Sequence, residues 1–540
     1  MTSAHIDTFA RDRLPPPEQQ PEFVFELPGL QFPQQLNCAA ELLDRAVAEG
    51  RSERVCIRAP GLRWTYAELQ RCADRIAHVL VRELGLVPGN RVLLRAPNNP
   101  MLAACWFAVI KAGGIAVATM PMLRAKELAQ IAAKAEITHA LCDARLADEL
   151  ALAQPRCPTL AHVLNFNGEG DSDSGTGLEA AMARHDDAFT AVATAADDTC
   201  MIAFTSGTTG EPKGTMHFHR DVMAACACWP AHVLRPHADD VFIGSAPLAF
   251  TFGLGGLLLF PMSVGASVVL LEKASPQQLV DAIRDFGATV LFTAPTSYRA
   301  MAAHGEALRA SSLRRCVSAG EALPAATRAL WKEATGIELI DGIGATELLH
   351  IFISADEAHA RPGATGVPVP GYQARVVDDS GTPLPPNRVG RLAVKGPTGC
   401  RYLDDPRQAD YVQGGWNLTG DAYLVDDDGY FHYQARTDDM IVSAGYNIAS
   451  PEVEGALLLH PKVAECGVIG VPDAERGQIV KAFVVLHAGH APDETLTAEL
   501  QAFVKQTIAP YKYPRAIEYR DALPRTETGK LQRFRLRAPA

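Results

Sequence analysis

The chain has 540 residues, too many for a single core, so two or more domains are expected. Hydrophobic residues make up 48% and charged residues 21%, an ordinary globular composition, which excludes fibrous and disordered classes. The net charge of −12 argues against a general nucleic-acid binder, which needs clustered Lys and Arg to neutralise phosphates.

The N-terminal stretch "MTSAHIDTFARDRLPPPEQQPEF" has no apolar core of a signal peptide. Twelve cysteines stand at irregular spacings, with no paired CxxC, and "CAC" at Cys226–Cys228 is too tight for usual zinc spacing. They read as buried reduced thiols, which points to a cytoplasmic protein.

Apolar β-branched runs then alternate with amphipathic stretches. "RVLLRAP" is followed by helix-like "PMLAACWFAVIKAG" and by "GIAVATM"; later, helical "SPQQLVDAIRDFG" precedes "ATVLFTAP". This alternation predicts an α/β fold of mainly parallel sheets, with ligands at the carboxyl ends of the strands. "NGEGDSDSGTG" (Asn167–Gly177) reads as a surface loop. Val241–Leu271 holds no charge and exceeds the usual spanning length of about 20 residues. Pro247, Pro261 and five glycines break it, so it reads as strand, helix and strand rather than a membrane span.

After about residue 365 the texture changes to short strands and tight turns, a small β-rich subdomain. From Asp439 a compact α+β segment begins. The expected division is a large domain, 1–437, and a small C-terminal domain, 438–540.

Four stretches carry chemistry. "TSGTTGEPKG" (Thr205–Gly214) comes directly after the strand-like "MIAF". Its glycines let successive N–H groups form an anion nest, and its hydroxyls and Lys213 add donors and a cation. It is not a Walker A loop, and a slack turn is the competing interpretation. "DGIGATELLH" (Asp341–His350) offers Glu347 to Mg²⁺ and Thr346 to phosphate, or a helix start capped by Thr346. "GDAYLVDDDGYFHYQAR" predicts a hairpin with a two-residue turn at Asp428-Gly429, which sets Asp421 opposite Arg436. That pair is either a cross-strand ion pair or a grip for vicinal hydroxyls. Lys530, in "TETGKLQR", is by itself no more than a solvated charge.

Taken together, "TSGTTGEPKG", "SAGEALP", "DGIGATE", "LTGD", "ARTDDMIVSAGYNI" and "PRTETGKLQR" resemble, in order, the motifs of the adenylate-forming superfamily, which includes acyl-CoA synthetases. "DGIGATELLHIFIS" and "GPTGCRYL" are similar to benzoate- and 2-aminobenzoate-CoA ligases. The resemblance implies a mobile C-terminal domain and two half-reactions. A carboxylate attacks the α-phosphate of ATP, and the thiol of coenzyme A then displaces AMP from the acyl-adenylate.

It also implies residue roles. Thr205, Ser206, Gly207, Thr208, Thr209, Gly210 and Lys213 would hold the pyrophosphate end, with Thr346 on the α-phosphate and Glu347 on Mg²⁺. Gly320, Glu321, Ala322, Asp341, Gly342 and Ile343 would line the adenine, and Asp421 and Arg436 would hold the ribose. Lys530 would bridge carboxylate and α-phosphate. Asp438 falls at the hinge, and Ser443, Ala444, Gly445 and Tyr446 at the coenzyme A channel. Ala224, Ala225, Phe250, Phe252, Gly253, Gly344 and His350 would form the acyl pocket, with His350 the wall that reads the substrate or else a satisfied core histidine.

Ile343 stands where many relatives stack an aromatic ring on adenine. Ala444 and Thr215 also depart from the common pattern. The resulting expectation is an aryl-carboxylate–CoA ligase using ATP, Mg²⁺ and coenzyme A, compatible with a homodimer. A medium-chain fatty acyl-CoA synthetase and a non-catalytic nucleotide-binding module are the alternatives.

Overall fold

The structure, a computed structural model, describes residues 3–168, 177–205, 211–436, 439–443, 446–473, 476–525 and 531–537. Most of the expected insertion after Asn167 therefore lies outside the described residues.

Two large sheets form the body. One of nine strands has a parallel centre: Val55–Ala59, Ser267–Val269, Val241–Gly244, Val290–Thr293, Arg315–Ser318 and Leu339–Gly344 lie side by side in that order. Its edges are antiparallel, with Leu62–Thr65 on one side and Ile351–Ser354 and Val367–Pro368 on the other. The other, of six strands, is parallel from His162–Phe166 through His139–Asp143, Arg91–Arg95 and Ile115–Thr119 to Thr199–Thr205. The central strands read "RVLLR" and "VLFT" because both faces are covered by helices.

The helices start and stop where local chemistry dictates. Asn99 accepts from the Leu102 N–H and Pro100 opens the helix Pro100–Lys111. Ser275 and Gln278 form a capping box on Pro276–Phe286, which Gly287 ends at φ 65°. The uncharged stretch folds as expected, with strand Val241–Gly244, helical turns from Thr251 to Val264 and strand Ser267–Val269. Among the described residues no helix is long and apolar enough to cross a membrane.

A smaller antiparallel sheet comes next, built on Gln373–Val377, Gly390–Lys395, Trp416–Val425 and Phe431–Arg436. In the C-terminal sheet Gly477–Leu486 pairs antiparallel with Val463–Asp473 and parallel with Ala516–Tyr519. Helices Ser450–Leu458 and Glu494–Thr507 cover it around a core of its own, including Ile441, Val453, Leu457, Val484 and Leu500. The twelve cysteines are free thiols, all buried except half-buried Cys72.

Candidate active site

Among the described residues, several of the expected ones stand at or just beyond the carboxyl ends of parallel strands: Thr205, Gly320–Ala322 and Asp341–Ile343. Strand Thr199–Thr205 runs into the glycine-rich loop, but the next element is a strand, not a helix. Lys213–Phe218 returns antiparallel, with Thr205 paired to Lys213. Ser206–Gly210 lie outside the described residues; Thr205 and Lys213, which flank the motif's centre, are paired across the two strands. Thr205 Oγ1 is buried with no hydrogen-bond partner among the described residues.

Lys213 Nζ donates to the Tyr402 hydroxyl at 2.8 Å and lies 3.5 Å from Glu347 Oε1. The Tyr402 hydroxyl in turn donates to Glu347 Oε1 at 2.5 Å. Burial and the Glu347 charge push the Tyr402 phenol far above its usual range, so it is held as a donor. Both Glu347 contacts fall on Oε1, so Oε2 is the atom it can offer a cation. A buried carboxylate at the mouth of a phosphate-type loop fits Mg²⁺, which takes one or two carboxylates and completes its shell with phosphate oxygens and water.

Glu347 reaches this place through a 3₁₀ turn, Thr346–Leu348, after strand Leu339–Gly344. Ala345 stands at the cap position and makes no side-chain cap bond, so Thr346 is not a helix cap. The Thr346 carbonyl accepts from buried His217 Nε2 at 2.8 Å, fixing the turn from below. Leu349, at φ 72°, then swings the chain so that His350 points inward.

Gly320, Glu321 and Ala322 come after strand Arg315–Ser318, beside Asp341–Ile343 on the neighbouring strand. Burial pushes the Asp341 carboxyl up to about 7, with Arg328 opposing. Ile343 offers this face an aliphatic side chain, paired with Ile353 across the strands. Arg525, from the C-terminal sheet region, reaches Glu321 at 3.3 Å.

Asp421 does face Arg436, with Nη1 donating to Oδ1 at 3.0 Å. The route differs from expectation. The turn is a three-residue loop, Asp427–Gly429, closed by the Asp426–Tyr430 pair, with Gly429 at φ 85°. That slips the register near the turn by one, and a β-bulge between Ala422 and Tyr423 restores it. Arg436 keeps about half its side chain exposed, 48% against 10% for Asp421, so the pair is reached from solvent through the guanidinium.

The acyl-pocket residues divide. Ala224 and Ala225 are buried on helix His219–Ala227, and Gly253 is buried in the turn Thr251–Leu254. Phe250 and Phe252 are half-buried, and a small apolar cavity lined by Trp106, Met201, Leu248 and Leu254 lies behind Phe250. His350 is 4% exposed, with its ring 4.5 Å from Phe260 and 5.7 Å from both Phe252 and Trp229. Burial drives its imidazole down to about 3, so it stays neutral. Nε2 lies 3.4 Å from the Phe252 carbonyl, while Nδ1 has no partner among the described residues. A Cβ on Gly255 would meet the His350 ring at 2.3 Å, so only glycine lets the helix approach here.

Gly344, exposed at the strand end, stands beside the His350 backbone. Ser443 is buried, its hydroxyl has no partner among the described residues, and its backbone pairs with Tyr446 across antiparallel strands. Asp438, Ala444, Gly445 and Lys530 lie outside the described residues. Arg525 and Leu531, which flank the Lys530 segment, form an antiparallel bridge.

Sequence reading missed Tyr402, His217 and the pair beneath them. Arg401 donates to Asp221 at 2.7 Å with both side chains fully buried, and its guanidinium lies 3.8 Å from the Phe218 ring. The Arg401 carbonyl accepts from the Met216 N–H, tying "RYL" to the phosphate-loop hairpin. Burial alone would raise the Asp221 carboxyl; Arg401 and His217 hold it down at about 2. Its contribution to stability is therefore fully present above the ordinary value of 3.8 and is lost as pH falls through about 2. Arg401→Met leaves a buried charge unpaired and is expected to cost about 3–5 kcal/mol in denaturant unfolding, whereas Arg401→Met with Asp221→Asn should cost less. Equal costs would show that the charges are not coupled.

The chain matches the model of the AMP-binding enzyme family over residues 43–401 and that of the AMP-binding enzyme C-terminal domain over 452–530. The chain belongs to the AMP-binding enzyme family. Among its relatives, the benzoate–CoA ligase of Thauera aromatica is 35% identical over 95% of this chain and 97% of that protein. An anthranilate-CoA ligase solved with anthranoyl-AMP is 34% identical, covers 94% of this chain and 98% of its own, and superposes with a TM-score of 0.88. A benzoate-CoA ligase from Burkholderia xenovorans gives 32%, 93%, 100% and 0.85. This AMP-binding enzyme is an AMP-forming acid–thiol ligase, with ATP, a carboxylic acid and coenzyme A as substrates.

Proposed function

We propose that the protein is an aryl-carboxylate–CoA ligase of the benzoate or 2-aminobenzoate type, acting in the cytoplasm through an acyl-adenylate. The observation that carries this reading is an aromatic cluster in which half-buried Phe252 packs on neutral His350, itself packed on buried Phe260 and Trp229 and three residues along the chain from Glu347. Aromatic edges and faces suit a flat ring. The close packing of Gly255 on His350 leaves no room between them, which supports a short acyl pocket.

In this reading the hairpin loop from Thr205 to Lys213 takes the pyrophosphate end of ATP. Gly320–Ala322 and Asp341–Ile343 take the adenine, and Asp421 and Arg436 take the ribose. Glu347 would hold Mg²⁺, which supplies charge neutralisation at the phosphates. The substrate carboxylate attacks the α-phosphorus, the bond to pyrophosphate breaks, and the coenzyme A thiolate then displaces AMP from the acyl carbon. The protein's part is to align two anions in line and offset their repulsion.

The division into 1–437 and 438–540, hinged at Asp438, is supported by the separate C-terminal core. The contact of Arg525 with Glu321 supports an arrangement with the C-terminal part over the nucleotide site. On rotation, the Ser443–Tyr446 turn would meet the pantetheine arm.

The second reading is a medium-chain acyl-CoA synthetase, for which the small apolar cavity behind Phe250 would have to widen to take an alkyl tail. ATP–pyrophosphate exchange with benzoate, 2-aminobenzoate and hexanoate, followed by AMP release with coenzyme A, separates the two. Exchange with an aromatic acid at ten-fold or higher kcat/KM over hexanoate is expected. Preference for hexanoate moves the assignment to aliphatic acids, and no exchange with any acid favours a nucleotide-binding module.

A further inference from the structure

Away from the cleft, at the opposite end of the phosphate-loop hairpin, three soft donors meet. Cys200 lies near the start of strand Thr199–Thr205, and His219 opens the helix after the returning strand. Cys38 comes from the N-terminal region, in a turn where the Asn37 carboxamide oxygen accepts from the Ala39 and Ala40 N–H groups. The Asn37 amide also donates to the carbonyls of Ile110 and Val192, at 2.9 and 3.1 Å. The two thiols and the imidazole are buried, and their ligand atoms all lie within 4.8 Å of one another.

His219 Nδ1 accepts from the Cys38 N–H at 3.2 Å and lies 3.3 Å from Cys38 Sγ, so the ring nitrogen beside the thiols carries no proton, and its lone pair is held by that N–H until a metal takes it. Cys200 Sγ lies 3.5 Å from the His217 carbonyl oxygen, which stands ready as a fourth, neutral donor. Tetrahedral zinc, with Zn–S of about 2.3 Å and Zn–N of about 2.0–2.1 Å, sets its donors about 3.3–3.8 Å apart. The longest of these separations would have to shorten by little more than about 1 Å.

Charge decides which cation fits. Two thiolates around a divalent ion give a net neutral site, the one outcome a fully buried position tolerates; a monovalent ion would leave a buried anion. The geometry points to Cys38, Cys200 and His219 as a buried structural site for a thiophilic divalent cation, Zn²⁺ in kind. On binding, each thiol loses its proton to solvent and forms one metal–sulfur bond, while His219 gives up its hydrogen bond from Cys38 N–H. No oxidation is involved. The metal would staple the N-terminal segment to the base of the hairpin whose tip is the phosphate loop, five residues along the strand from Cys200.

The test uses the full-length protein, stripped with chelator under reducing conditions. Titration with Zn²⁺ against a chromophoric chelator is expected to reveal one tight equivalent, and Cd²⁺ should produce a thiolate-to-cadmium charge-transfer band. Both should vanish in Cys200→Ser and weaken at least ten-fold in His219→Ala. The same equivalent in wild type and Cys200→Ser, or none in wild type, overturns the site. If the variants fail to fold, alkylation of the wild type in mild denaturant decides. Zn²⁺ should slow labelling of Cys38 and Cys200 at least ten-fold more than that of Cys316 and Cys466, and uniform slowing or none overturns it.

Discussion

Lys530→Ala is expected to lower acyl-adenylate formation about 10³-fold while leaving thioester formation from supplied acyl-adenylate within a few-fold of wild type. The first half-reaction drives a carboxylate onto a phosphate, two anions, so a cation between them lowers the barrier directly. A unit charge about 4 Å away, at an effective dielectric of about 20, contributes about 4 kcal/mol, or about 10³ in rate. In the second half-reaction the phosphate leaves rather than being attacked, and that cation has no comparable task. Lys530 lies outside the described residues, but its flanks bear on the question. Arg525 and Leu531 bridge one another, and Arg525 touches Glu321 within the proposed adenine segment. Single-turnover measurements of each half-reaction check the prediction. Equal loss in both would defeat the idea that the C-terminal part serves two orientations.

Much of this architecture was legible because parallel α/β sheets write a plain pattern. Runs such as "RVLLR" are apolar on both faces, and capped helices separate them. The order of the strands in each sheet was not legible, since neighbours such as Val55–Ala59 and Ser267–Val269 are joined only by the tertiary fold. The Asp421–Arg436 pairing was predicted from a regular ladder and a two-residue turn, yet it exists because a three-residue turn and a bulge cancel. A local rule gave the right partners by the wrong path. Tyr402 could not be found by spacing, because it meets Glu347 and Lys213 only where three separate segments converge. Cys38, Cys200 and His219 were hidden for the same reason: zinc spacings describe ligands on one local motif, whereas these come from three places in the fold.

Glu347→Gln is expected to reduce ATP–pyrophosphate exchange about 10²–10³-fold, the range for losing one preorganised charge-stabilising group. The substitution keeps the shape and leaves an oxygen to accept from the Tyr402 hydroxyl, so the fold around it should hold. What it removes is the negative charge, and that charge has two uses. In the proposed reading it would offer Oε2 to Mg²⁺, and its Oε1 lies 3.5 Å from Lys213 Nζ, which it would hold until phosphate competes for the ammonium. Exchange by Glu347→Gln should therefore need a higher Mg²⁺ concentration for half-maximal rate, while its thermal unfolding shifts little. Tyr402→Phe separates the two uses. It leaves the carboxylate for the metal but takes away the hydroxyl shared by Lys213 and Glu347, so a loss of about ten-fold is expected, of the order of one hydrogen bond to a charged group. The half-maximal Mg²⁺ concentration should stay near that of wild type. Were Tyr402→Phe to lose as much as Glu347→Gln and shift the Mg²⁺ requirement equally, the metal would not depend on the Glu347 charge. The carboxylate would then serve mainly to place Lys213.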